Sequence, residues 1–161
     1  MCVIIDASVV SLICKQPAAP AFRPVVDWLT SSKQDGRLVY GGRLSKELFR
    51  VGEAQRFIAQ RKRDGRAVEF PDAAVDAKEK ELKKAGLCKS NDQHVIALAI
   101  VSGARTLCSD NKRKRHLYAD FKNKALIDNP GGRIYRDPSH RRLLAHTPSC
   151  ERELKHASRS L

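Results

Sequence analysis

Residues 90–110 read SNDQHVIALAIVSGARTLCSD. Ser90 followed three residues later by Gln93 matches a capping box, the signature of a helix start. Residues 92–102 then carry the strongest helical pattern in the chain, and Gly103 supplies the stop. Residues 105–108 predict a short strand, broken by Ser109-Asp110-Asn111. A helix, a glycine stop and a strand ending in an acid set the style of the fold. Its counterpart lies at the start of the chain, where CVII at 2–5 is an apolar, β-branched run suited to a strand buried on both faces and closed by Asp6.

Between these two blocks the pattern alternates. Residues 7–14 and 25–30 suit helices, with Pro17, Pro20 and Pro24 punctuating the interval. Residues 38–40 predict a second strand, followed by helical spacing over 43–51 and 54–63. A third strand falls at 67–70, and a helix runs from Pro71-Asp72 to about residue 84, ended by Gly86. A short helix to residue 121 and a strand at 133–135 complete the series. Strands alternating with helices predict one α/β domain over 1–136 with a mostly parallel sheet. Residues 137–161 turn polar and basic, with Leu143-Leu144 as the apolar anchor, and predict a short helix and tail rather than a second domain.

Composition bounds the function. A chain of 161 residues, 42% apolar and 30% charged, is long enough to bury roughly 68–70% of its unfolded surface, which argues against wholesale disorder. No apolar run approaches the ~18 residues of a membrane span, so a membrane is not an expected partner. The opening MCVIIDASVVSLIC lacks a basic leader and is interrupted by Asp6, unlike a cleaved signal peptide. The net charge of +13 points to a polyanion, nucleic acid first, an acidic protein second and an anionic membrane surface third. Only 6% of residues are aromatic, so phosphate contact is expected over base stacking. The five cysteines form no CxxC pair and read as reduced, mostly buried thiols of a cytoplasmic protein.

In so basic a chain the placing of the acids carries information. Asp6 and Asp110 follow two strands, and if those strands are parallel both carboxylates emerge at the sheet edge where α/β folds bind ligands. Asp92 stacks over Val95, Ile96 and Ala99 on the inward face of its helix, and Glu47 borders the Leu44–Leu48 stripe. Four acids from separate stretches can thereby converge. Close carboxylates repel one another unless a cation sits among them, and an all-oxygen set selects Mg²⁺ or Mn²⁺. On a basic surface such an ion suits phosphodiester hydrolysis. Each acid also has a plainer role: a helix cap for Asp6, a helix-dipole partner for Asp92, a turn residue for Asp110 and a solvated helix position for Glu47. The case rests on the combination.

At these residues the chain resembles the PIN-domain ribonuclease family, which includes the VapC-type toxin nucleases. The matching pieces are VIIDASVV at 3–10, GGRLSKELFR at 41–50, KSNDQHVIALAIVSGARTLCSD at 89–110 and YADFKN at 118–123. The resemblance covers about residues 2–135 and implies a three-layer α/β/α sandwich with a Mg²⁺- or Mn²⁺-dependent acidic site. Asp6, Glu47, Asp92 and Asp110 fall on its four acidic positions, with Ser8 and Ser109 on hydroxyl positions beside the first and fourth. NKRKRHLY at 111–118 is longer and more basic than the family pattern, and Asp120 is not assigned to the metal set. The implied partners are RNA, an antitoxin protein and a second copy of the chain.

The mechanism expected from both lines is metal-assisted RNA hydrolysis. Asp6, Asp92 and Asp110 hold the principal ion, and Glu47 binds a second ion or orients the attacking water. Lys112, Arg113, Lys114 and Arg115 would grip phosphates, against the plainer reading of a solvated loop. His94, two residues from Asp92, reads as a surface histidine; His116 nears the acidic edge only if the basic loop folds back. His140, His146 and His156 show no metal-like spacing. Trp28 reads as a packing residue with its N–H at the surface. A haloacid-dehalogenase-type phosphatase needs a second acid where Ser8 stands. The main rival is an inert PIN-like module that binds nucleic acid or a partner.

Overall fold

In a computed structural model of the protein, which describes residues 1–110, 113–128, 130–148 and 150, five strands form one parallel sheet. They are β1 (Cys2–Ile5), β2 (Arg37–Gly41), β3 (Ala67–Phe70), β4 (Thr106–Cys108) and β5 (Arg133–Tyr135). Their order across the sheet is β3-β2-β1-β4-β5, and every neighbouring pair is parallel. The helices of the described residues are α1 (Val10–Cys14), α2 (Arg23–Thr30), α3 (Gly42–Leu48), α4 (Gly52–Arg63), α5 (Asp72–Ala85), α6 (Gln93–Ser102), α7 (Arg115–Lys122) and α8 (Arg142–His146). The helices α3, α5 and α6 pack on one another, α1 packs on both α2 and α4, and the sheet lies in a three-layer α/β/α sandwich. This is the expected architecture.

The sheet is buried because its strands are almost wholly apolar. All four residues of β1 are buried, as are all three of β4. Parallel sheets need cover on both faces, and the continuous CVII run meets that need. Helix ends follow the glycines: Gly86 and Gly103 stand just past α5 and α6 with φ of +66° and +76°, a conformation that costs glycine little.

One end signal works differently from expectation. The capping box at Ser90 does not form. Helix α6 begins at Gln93 with Asp92 in the cap position, and Ser90 Oγ instead accepts the Asp92 backbone N–H at 3.3 Å in a local turn.

Chain order and sheet order together create the site. From β1 the chain moves outward through β2 to β3, then returns over the sheet to lay β4 on the other flank of β1. The strand order therefore reverses between β1 and β4, and ligand crevices of open α/β sheets open at such a point. Register brings Ile5 opposite Cys108, and the Asp6 N–H donates to the Cys108 carbonyl at 3.0 Å. Asp6 and Ser109 consequently leave the sheet side by side.

Packing continues past residue 136. Leu144, Thr147 and Cys150 are buried. The Cys2 N–H donates to the Pro148 carbonyl, and Thr147 donates to the Cys2 carbonyl while accepting from Thr106. Cys2 and Cys150 are joined in a disulfide, which corrects the expectation that all five thiols are reduced. Cys14, Cys88 and Cys108 are free, and burial pushes the thiols of Cys14 and Cys108 up to about 12. Trp28 is also more enclosed than expected. Its indole N–H is buried without a partner, because Gly36 lies so close against the ring that a Cβ there would collide with it. Among the described residues no helix is long and apolar enough to cross a membrane.

Candidate active site

Asp6 is 1% exposed, a high degree of burial for a carboxylate. Its Oδ2 accepts from Ser8 Oγ at 2.7 Å and from Ser109 Oγ at 3.0 Å. Tyr118 donates in turn to Ser109 Oγ at 3.2 Å, so a hydroxyl chain runs from α7 to the strand-end acid. These bonds occupy one carboxylate oxygen. The other, Oδ1, lies 3.4 Å from the Lys114 ammonium, which is also 3.3 Å from Asp92 Oδ2. Two acids 86 positions apart in sequence thus share a single cation (residues 6 and 92).

Partial burial opposes the charge of Lys114 and is the largest single influence on it. The Asp6 and Asp92 carboxylates together outweigh that influence and raise the ammonium above the ordinary lysine range. Lys114 belongs to the basic run expected to grip phosphates, and in the structure its charge faces inward. Arg113 and Arg115 are exposed, whereas Lys112 lies outside the described residues.

Glu47 is held separately. Its Oε2 is 3.1 Å from His94 Nε2 and its Oε1 is 3.4 Å from Arg43 Nε, one helical turn back. His94 is 1% exposed, which corrects its reading as a surface histidine. The reason is that α6 is buried nearly all round, from His94 through Ala99, because α3 and α5 cover the face that the sheet does not. The unbroken run VIALAIV was the available signal: a helix apolar on every side has no surface on which to place a histidine.

Asp110 is exposed. β4 ends at Cys108, and the residue that meets Asp6 is Ser109, so the expected fourth acid stands one position beyond the contact. Asp120 is buried on α7 and accepts the backbone N–H groups of Lys89 and Ser90, both at 2.9 Å. It clamps the loop that delivers Asp92. His116 and His146 are exposed, His140 sits near Asp137, and His156 lies outside the described residues.

The structure therefore brings Asp6 and Asp92 together through Lys114, pairs Glu47 with His94, and leaves Asp110 at the surface. Among the described residues no group of three or more histidines, cysteines or acids is placed to hold a metal ion. The donor chemistry nonetheless suits a hard divalent ion at Asp6 and Asp92. Both offer carboxylate oxygen, both already face one positive charge, and Mg²⁺ is commonly held by one or two carboxylates with water and substrate phosphate completing its shell. No family model, curated protein or solved structure matches the chain.

Proposed function

We propose that the protein is a PIN-type, Mg²⁺- or Mn²⁺-dependent endoribonuclease that hydrolyses RNA phosphodiester bonds. The observation that carries this reading is the pair Asp6 and Asp92, held about one cation at the strand-order reversal of a chain with a net charge of +13. Asp6 and Asp92 would hold the ion. When bound, such an ion supplies Lewis-acid polarisation of the phosphoryl group and of the attacking water.

The chain's own residues set the stage. Ser8 and Ser109 fix the Asp6 carboxylate through Oδ2, leaving Oδ1 for a cation. His94 and Arg43 hold Glu47, whose part in the reaction is to orient the attacking water or a second ion. Arg113 and Arg115, with Lys112, bind phosphates on either side of the cut, so RNA affinity falls as salt rises. Asp110, exposed beside Ser109, would offer a further carboxylate toward the ion. An acidic antitoxin would meet the same positive surface, and a second copy of the chain is the other protein partner this reading raises.

The test is cleavage of labelled single-stranded and structured RNA with Mn²⁺, with Mg²⁺ and with EDTA, comparing wild type, Asp6→Asn and Asp92→Asn. Cutting should need the ion and fall about 10²-fold or more in each variant, the size usual when a transition-state stabiliser is lost. Equal cutting by all three proteins would remove the assigned site.

A second reading is a PIN-like module that binds RNA or a partner without cutting. Lys114 favours it, since its ammonium already bridges the two acids without a metal ion. Salt-sensitive RNA binding with no cleavage under any ion would select that reading.

A further inference from the structure

Resting on the metal-dependent reading above, we infer that Lys114 is a displaceable resident counter-ion, which leaves Asp6 and Asp92 when a divalent ion enters and then holds an RNA phosphate. The first ground is geometric. Asp6 Oδ2 is occupied by two hydroxyl donors, so Oδ1 is the oxygen that faces a cation, and Lys114 faces it at 3.4 Å. The same ammonium is 3.3 Å from Asp92 Oδ2. A Mg²⁺ ion draws carboxylate oxygens to ~2.0–2.1 Å and repels a neighbouring positive charge. The two cations compete for the same oxygens, and their mutual repulsion disfavours both holding them at once.

The second ground is that the fold needs some cation here. Asp6 is 1% exposed, and a buried carboxylate facing a second acid with nothing between them is costly. Lys114 meets that need before an ion arrives and keeps the two acids at their places. The third ground is that Lys114 has a way out. It stands immediately before α7, its side chain is 24% exposed, and its four-carbon stem lets the ammonium swing while the backbone stays. Its neighbours Arg113 and Arg115 are exposed, so an ammonium released from the acids joins a positive rim.

Two consequences follow. Ion binding must first separate Lys114 from Asp6 and Asp92, which weakens apparent ion affinity. An RNA phosphate that captures the released ammonium lowers that cost, so RNA and ion strengthen each other's binding, by the same factor in both directions. The ion is thereby recruited most strongly when substrate is present.

Two measurements test this. In wild type, acetylation of each lysine by an N-hydroxysuccinimide ester is followed by mass spectrometry without ion, with Mg²⁺ and with Mg²⁺ plus single-stranded RNA. Lys114 should become more reactive on adding Mg²⁺ alone, while Lys89 and Lys122 stay constant, and RNA should protect it again. In parallel, calorimetric titration with Mn²⁺ should show Lys114→Met binding about tenfold or more tighter than wild type, within the usual range of coupling. The RNA enhancement of ion affinity should be smaller in that variant, since only direct phosphate ligation of the ion remains.

Unchanged Lys114 labelling at saturating Mg²⁺, or equal Mn²⁺ affinity in a folded variant, overturns the inference and leaves the nuclease reading standing. If neither protein binds Mn²⁺, both fall together. Exchange of Lys114 for the ion without RNA cleavage upholds the inference and removes the nuclease. Should Lys114→Met fail to fold, the wild-type labelling decides alone.

Discussion

Asp120 accepts two backbone N–H groups, from Lys89 and Ser90, and is 1% exposed. The carboxylate lies on α7, and the loop it holds runs directly into Asp92. Asp120→Ala would leave both donors without their partner and open a small void. The expected cost is about 3 kcal/mol, from the desolvation penalty of unsatisfied groups, read as a shift in the urea unfolding midpoint. A shift of less than about 0.5 kcal/mol would mean that water satisfies the loop equally well. In the sequence Asp120 follows a stretch, residues 111–118, that is longer and more basic than the family pattern, and nothing local distinguishes a loop clamp from a solvated acid. Lys114 was legible as part of a positive run, but its inward direction was not. Direction depends on where the strand-end acid lies in space, and residues 6 and 114 meet only after the sheet has formed.

At the scale of elements, α7 organises the site. Its cap position bears Lys114, its middle bears Tyr118, and its last turns bear Asp120. The helix is therefore coupled to Asp6 through a cation, to Ser109 through a hydroxyl, and to Asp92 through the 89–90 loop. Its distance from β5 is set in part by Gly132, where a Cβ would fall on the Phe121 carbonyl oxygen and ring. Gly132→Ala should force α7 from its seat, costing about 1–3 kcal/mol as overpacking does. By the metal-dependent reading it should also reduce RNA cleavage, although Gly132 touches none of the acids. Loss of stability with cleavage intact would show that α7 is not what positions them. Helix α6 illustrates the other side of legibility. Its extent was readable from apolar spacing and Gly103, yet its start shifted because Asp92, not Ser90, took the cap.

Across the whole molecule, the disulfide and the acidic site lie at opposite ends of β1. Cys2 opens the strand and Asp6 follows its close, while Cys150 ties the C-terminal segment to the opening end. The bond spans 148 positions, and a crosslink closing so long a loop restricts the unfolded chain strongly. Reduction, or Cys150→Ser, should lower unfolding stability by about 2–4 kcal/mol, measured by urea denaturation with and without dithiothreitol. Mn²⁺ affinity of the reduced, folded protein should stay as it was, since the strand and its register intervene. An unchanged midpoint would show that the hydrogen bonds of Thr147 and Cys2 carry the closure without the crosslink.

The sequence alone determined the α/β class, all five strands to within a residue or so, and the emergence of Asp6 beside the strand of residues 105–108. These features are local: apolar runs, glycine stops and turn residues act within a few positions of one another. Tertiary structure decided the rest. Parallel pairing made Ser109, not Asp110, the neighbour of Asp6. Cover by α3 and α5 turned His94 from a surface position into a buried partner of Glu47. Closure of the chain ends brought Cys2 to Cys150. In each case the deciding quantity is a distance between residues far apart in sequence, set by how the sheet is ordered and what lies over it.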